Sequence, residues 1–242
     1  MNREYIKWHS STLQRDMEML VFGDSGARII FFPTRKARFF DYENWGVMDA
    51  LREKVEKRLI QVYCVDSIDC ESFYNTLASP AERIMRHIQY EQYILNEVIP
   101  FSLSKNSNSF LISAGCSLGA YHAINIALRH PKFFGKVVGM SGRYDLTQAM
   151  GVFKDLFQGY VDENVYFNMP NRYMQGLNDE KYLNEIRRLS ITIAVGEEDA
   201  FLNDNKFFHK VLNDKLITNN LAIWSKESHN PIEWRQMVQL YF

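Results

Sequence analysis

Ser113-Ala114-Gly115-Cys116-Ser117-Leu118-Gly119-Ala120-Tyr121-His122, reading SAGCSLGAYH, lies almost at the middle of a chain of 242 residues. It holds one G-x-S-x-G, from Gly115 to Gly119, placed after the apolar run of 109–113 and before the helical pattern of 118–129. A serine at such a junction is thrown above the sheet only if the chain turns sharply, and a sharp turn crowds the positions two before and two after it. Gly115 and Gly119 meet that need, and Ala120 and Ala123 let the helix lie close to the strand. The helix start also offers free backbone N–H groups and a positive dipole end. Taken alone, the pattern fits an ordinary loop serine as well.

Outward from this junction the chain alternates strands and helices. Residues 3–9 and 13–22 have the period-two pattern of strands with Ser10-Ser11 as turn material, and Ala27–Phe32 (ARIIFF) reads as a strand buried on both faces. A helical pattern at 47–57 precedes a second buried strand at 59–65. A long helix is expected over 80–104, opened by Pro80. Further strands are expected at 136–140, 191–195 and 221–224, with helices at about 203–215 and 231–240. The expected fold is therefore α/β, a mostly parallel central sheet with antiparallel N-terminal strands and helices on both faces. No linker divides it, so residues 1–242 read as a single domain. Within it, 143–190 interrupts the alternation as a lid-like insertion carrying seven aromatics: Tyr144, Phe153, Phe157, Tyr160, Tyr166, Phe167 and Tyr173.

Composition narrows the function classes. The net charge is −1 and no dense Lys/Arg run is present, so the electrostatic footprint of a nucleic-acid binder is missing. Three cysteines, Cys64, Cys70 and Cys116, give neither a disulfide framework nor a paired metal spacing, and neither a metal nor a cofactor is expected. The N-terminal residues lack the apolar core of a signal peptide and no run is long enough to span a bilayer, which sets a cytoplasmic location as the expectation. Oligomeric state, including a homo-oligomer, stays open.

A seryl hydroxyl needs a base, and in a strand-turn-helix setting of this type the order along the chain is Ser, acid, His. His9 and His87 precede Ser117, His122 and His130 belong to the helix after it, and His209 sits inside an amphipathic helix. His229 follows the last strand through the polar turn SKES, at the loop position a base would occupy. The acid should follow the strand ITIAV, where the turn reads Gly196-Glu197-Glu198-Asp199-Ala200-Phe201. Asp199 stands clear of the strand end and is the favoured residue, with Glu198 the alternative.

With these pieces in place the chain resembles the esterase D and feruloyl-esterase-like "putative esterase" group of α/β-hydrolases, most closely its small cytosolic members. The resemblance runs through SSTLQRDMEM, DSIDCESFYN, YEQYILNEVIPF, the elbow GCSLGAYHAINIALRHP, GEEDAFLNDN and SHNPIEWRQM. It implies an α/β-hydrolase fold with Ser117 as nucleophile, Asp199 as acid and His229 as base, in agreement with the reading of the residues themselves. The oxyanion hole would then use the N–H of Leu118 and a second N–H from the loop after the first buried strand. Many members carry His-Gly there, whereas this chain reads Phe32-Pro33-Thr34-Arg35. Pro33 has no N–H, which leaves Arg35 or Thr34. Asn230 stands where the group would lead one to expect His-Asp.

The function expected is hydrolysis of a carboxylic ester, or thioester, of a small molecule through an acyl-enzyme on Ser117. The same triad could pass the acyl group to an alcohol or amine, and a non-catalytic binding protein on this fold is the remaining alternative. Phe153, Phe157 and Tyr166 are candidates for an apolar pocket wall. Asp66, Glu71 and Tyr74 are candidates for contact with a polar alcohol portion, although a plain polar surface loop explains them better.

Overall fold

Eight strands form one sheet in the order β1-β2-β4-β3-β5-β6-β7-β8 in a computed structural model of the chain, which describes residues 1–226 and 228–242. Glu227, within the turn read between the last strand and His229, lies outside the described residues. The strands are β1 (Arg3–Ser10), β2 (Arg15–Phe22), β3 (Ala27–Phe32), β4 (Ile60–Val65), β5 (Leu111–Cys116), β6 (Lys136–Met140), β7 (Ser190–Gly196) and β8 (Asn219–Trp224). β1 and β2 are antiparallel, β2 joins β4 antiparallel, and the six strands from β4 to β8 run parallel. The C-terminal ends of β3, β5, β6, β7 and β8 therefore emerge on one rim, where the loops of open α/β sheets hold their sites.

Burial follows from composition. β4 and β5 are buried at every position, because helices cover both faces of the sheet. One face packs against α1 (Asp41–Asn44), α2 (Val47–Ala50), α3 (Arg52–Glu56) and, from the far end of the chain, α11 (Pro231–Tyr241), through Tyr42, Val47, Met48, Leu51, Val55, Trp234, Met237 and Val238. The other face packs against α4 (Pro80–Tyr93), α5 (Ile99–Lys105), α6 (Leu118–Arg129), α8 (Pro170–Gly176), α9 (Glu180–Ile186) and α10 (Leu202–Asp214). The short α7 (Glu163–Tyr166) completes the helices. Among the described residues no helix is long and apolar enough to cross a membrane.

Three local departures from the sequence reading have physical causes. The helix expected at 80–104 is α4, a π-helical turn at Ile94–Val98, and α5. Pro100 cannot donate to the carbonyl four residues back, and the wider turn accommodates that missing bond. The strand expected from 109 begins only at Leu111, because Asn106 and Asn108 bond the amides of Asn108 and Phe110 at 3.0 and 2.9 Å. Such Asx turns compete with the sheet ladder. The helix expected at 47–57 is split at Leu51, whose N–H bonds Met48 three residues back at 3.1 Å.

The steric condition at the centre of the fold is met by two glycines. A Cβ on Gly115 would lie 2.3 Å from the Gly119 carbonyl carbon, and a Cβ on Gly119 would lie 2.2 Å from the Phe32 carbonyl oxygen. Backbone is packed on backbone at both contacts, so nothing flexible can give way. Gly119→Ala is expected to destabilise the fold by about 1–3 kcal/mol, the usual range for overpacking a tight interior. Urea unfolding followed by circular dichroism measures this; an unchanged midpoint would contradict the packing described.

Candidate active site

Ser117 is the hinge between β5 and α6, at φ 56° and ψ −121°. For a residue with a side chain this is a strained conformation, costing on the order of 1–3 kcal/mol, and it persists only where its surroundings fix it. They do so on both sides. The Ser117 N–H donates to the Met140 carbonyl at the end of β6 at 2.8 Å. One residue earlier, the Cys116 N–H donates to the Tyr42 hydroxyl at 3.0 Å, and that hydroxyl donates to the Phe32 carbonyl at 2.8 Å. Tyr42 itself is held by stacking on Phe31 with ring centroids 4.0 Å apart. Burial pushes the Cys116 thiol pKa up, so it stays a protonated packing group.

The structure brings Ser117, His229 and Asp199 together. Ser117 Oγ is 3.0 Å from His229 Nε2, and His229 Nδ1 is 2.9 Å from Asp199 Oδ2. Asp199 is buried while Glu197 and Glu198 are exposed, which separates the two readings of the acid turn. The other Asp199 oxygen, Oδ1, accepts the Phe201 N–H at 2.9 Å, fixing the carboxylate plane. Glu197 instead braces the turn, accepting the Lys226 N–H at 3.1 Å.

The loop carrying His229 is pinned from below. Ser141, after β6, donates its hydroxyl to the Ser228 carbonyl at 3.2 Å and accepts from Trp234 Nε1 at 3.2 Å. Asn230 is the N-cap of α11, its side-chain oxygen accepting the Ile232 N–H at 3.0 Å. The departure at this position thus serves the helix start. His229 lies among aromatic rings, 5.4 Å from Phe201, 5.7 Å from Trp234 and 6.4 Å from Phe153 by centroids.

The loop 33–36 runs beside the elbow, since Gly119 abuts both the Phe32 and Pro33 carbonyls. Thr34 is buried and Arg35 exposed. This loop is anchored by a residue the sequence reading did not single out. Asp69 is buried at 2 % exposure, accepts the Lys36 N–H at 2.8 Å, and faces His122 Nε2 at 3.5 Å. The loop is closed by the Ala37 N–H bonding the Thr34 carbonyl at 3.0 Å.

A narrow cleft next to Ser117 is lined by Arg35, Tyr74, Leu118, Arg143, Leu146, Phe153 and Phe201. Tyr74 and Phe153 are therefore where the sequence reading put them, and Leu118 and Arg35 border the same space. Phe157 is not: it is fully buried in a core cluster with Phe73, Tyr121, Val165 and Met169. Tyr166 lines a separate cavity with Arg129, Tyr173 and Tyr182. Much of the aromatic density of 143–190 serves packing, with Tyr144 and Tyr173 in the core against the sheet and Phe157 in the smaller cluster. Asp66 and Glu71 are also occupied elsewhere. Asp66 pairs with Arg38 at 2.8 Å, and Glu71 with Arg86 at 2.5 Å and with Arg15. Arg143, Leu146 and Phe201 were missed; the available signal was that Arg143 follows the C-terminal end of a central parallel strand.

This arrangement, a strained serine between a parallel strand and a helix with its partners on later strand ends, is that of the α/β-hydrolase fold. The family described as "Putative esterase" matches residues 40–229, and the chain belongs to it. An acetyl esterase of Caldicellulosiruptor saccharolyticus is 22% identical over 173 residues, 62% of this chain; the chain spans 64% of the length of that curated relative, just under two thirds. Among solved structures, a ferulic acid esterase superposes with a TM-score of 0.75 at 15% identity, covering 99% of this chain and 96% of the other. The S-formylglutathione hydrolase FrmB of Staphylococcus aureus gives 0.70 at 17% identity, covering 99% and 97%. At such identities these two likenesses speak to the fold.

Asp69→Ala is expected to free the Lys36 amide, with hydrogen exchange at that amide about 10–100-fold faster, as for loss of a charge-assisted bond of about 1.5–3 kcal/mol. Exchange measured by NMR or mass spectrometry checks this, and unchanged protection would remove Asp69 as the anchor of the loop.

Proposed function

We propose that the chain is a serine esterase that cleaves a carboxylic ester of a small molecule through an acyl-enzyme on Ser117. The observation that carries this reading is the unbroken hydrogen-bonded series from Ser117 Oγ through His229 to the buried Asp199. Membership of an esterase family and the acetyl esterase relative support ester cleavage as the reaction.

In this reading His229 Nε2 takes the Ser117 proton as Oγ bonds to the carbonyl carbon, giving a tetrahedral oxyanion. Asp199 fixes the imidazole with Nδ1 protonated and stabilises the imidazolium that forms. The Leu118 N–H, at the start of α6, and an N–H of Thr34 or Arg35 receive the oxyanion; one such donor is typically worth ~10²–10³ in rate. As the carbon–oxygen bond to the alcohol breaks, the imidazolium returns the proton to the leaving oxygen. Water then adds to the acyl carbon with His229 again as base, releasing the carboxylic acid and restoring Ser117. The 143–190 segment contributes Leu146 and Phe153 as one wall of the cleft.

Labelling with a fluorophosphonate probe tests the nucleophile: the intact protein is expected to label and Ser117→Ala to stay unlabelled. Turnover of 4-nitrophenyl acetate should fall by up to ~10⁶-fold in His229→Ala and by ~10⁴-fold in Asp199→Asn, the losses typical of removing the base and the acid of such a triad. His209→Ala should retain turnover, since among the described residues His209 bonds only Asn219 and Asn213. An unlabelled intact protein would sink the esterase reading.

A further inference from the structure

We infer that the cleft beside Ser117 is built for an ester that carries an anionic group, such as a carboxylate, on a part of the substrate away from the scissile bond. This rests on the esterase reading and names the class of substrate for it. The observation is a convergence of cations on one tyrosine. The Arg35 guanidinium carbon lies 6.0 Å from the Tyr74 ring centroid and 5.8 Å from that of Phe153, and Lys36 Nζ lies 5.2 Å from the Tyr74 ring. Arg143 lines the same cleft, together with Arg35, Tyr74 and Ser117.

None of the three cations has a described carboxylate as partner. Arg38, two residues beyond Lys36, shows the contrast, being paired with both Glu18 and Asp66. Arg143 is the more telling case, because it is only 4 % exposed. Its Nη2 donates to the carbonyls of Leu146, Gln148 and Lys154, which organise the 146–154 loop. Its Nε is sealed from solvent and has no partner among the described residues. A buried guanidinium left without an anion is costly, so such a charge is normally matched.

Among the described residues the nearby carboxylates hydrogen-bond other donors, and Asp204, Asp145 and Asp155 reach Arg143 only as charges at a distance. Asp145 pairs with Arg172 at 2.8 Å and accepts the Thr147 N–H at 2.9 Å. Asp155 accepts the Phe157 and Gly159 amides at 2.7 and 2.6 Å. Asp204 accepts the Tyr144 N–H and the Asn171 amide, each at 2.5 Å. Asp69 faces Lys36 N–H and His122. The cleft thus presents two guanidiniums with no paired carboxylate among the described residues, together with the Tyr74 ring. Burial raises the Tyr74 pKa, and Arg35 and Arg143 offset only part of the rise, so the hydroxyl is a proton donor at neutral pH. The exposed Arg35 guanidinium and the Tyr74 O–H are the donors open to a carboxylate, and the buried Arg143 adds its positive charge. Arginine is the residue type that binds a carboxylate through two parallel bonds.

Matched ester pairs differing in one charge test this. Ethyl hydrogen succinate against ethyl butanoate places the anion on the acyl side; 3-acetoxybenzoate against phenyl acetate places it on the alcohol side. Both pairs are followed by pH-stat, and in at least one of them the charged ester is expected to be favoured about 10–100-fold in kcat/KM, the range for a charge-assisted bond. That preference should shrink towards unity in Arg143→Gln and in Arg35→Gln. The ratio is the readout because the oxyanion hole is common to both members of a pair and cancels. Arg35 is exposed, so Arg35→Gln carries the test if Arg143→Gln fails to fold. Cleavage without preference for the charged member in either pair, or a preference untouched by Arg35→Gln, overturns the inference and leaves the esterase reading standing. If no ester is cleaved, calorimetry of ethyl hydrogen succinate and 3-acetoxybenzoate on Ser117→Ala decides. Binding of either that is lost on adding Arg35→Gln upholds the anion site without the esterase, and no binding overturns it.

Discussion

The approach of the elbow backbone to the end of β3 is the constraint on which the rest depends. With no side chain at 115 or 119, the start of α6 can lie against the Phe32 and Pro33 carbonyls. That contact does two things at once. It forces Ser117 into its strained turn, and it puts the loop at 33–36 alongside the hydroxyl. The strain is held by bonds from neighbours on both sides, the Met140 carbonyl and the Tyr42 hydroxyl. The position of Ser117 is thus set by three strand ends.

The partners of Ser117 are placed by the same logic of strand ends, with different anchors. Asp199 is fixed by its own turn, and the His229 loop hangs from Ser141, which couples the end of β6 to Ser228 and Trp234. The two loops are therefore braced from their own turn and from the end of β6, and hold Asp199 and His229 in line with Ser117. Rigid support of this kind suits electrostatic stabilisation, which depends on groups that need not reorganise during reaction.

Much of this architecture could be read from the residues. Alternating apolar runs and amphipathic stretches disclose a parallel sheet covered on both faces, and the glycine spacing around Ser117 discloses the turn. The order Ser, acid, His narrows six histidines to His229, and the polar turn after β7 narrows the acid to two candidates that burial then separates. What could not be read depends on contacts between residues distant in sequence. Phe157 and Tyr166 look like pocket aromatics until packing shows one in a core and the other beside Arg129. Asp69 looks like one more surface acid in DSIDCES, although it anchors a loop more than thirty residues away, |i−j| being 33 for its bond to Lys36. The break before Pro100 and the late start of β5 are local effects of proline and asparagine, legible in kind but not in position.

The order of the strands along the chain has a consequence for how reactivity arises during synthesis. β5 and α6, which make the elbow, pair with β3 and β6 and can dock once those have emerged. His229 comes only after β8, which lies beyond β7 at the sheet edge, and it is separated from Ser117 by 112 positions. In synthesis order Ser117 is therefore made 112 residues before the imidazole that it bonds. The hydrogen-bonded series Ser117–His229–Asp199 is complete only with the loop after β8 in place, where Ser141 ties it to α11 through Ser228 and Trp234.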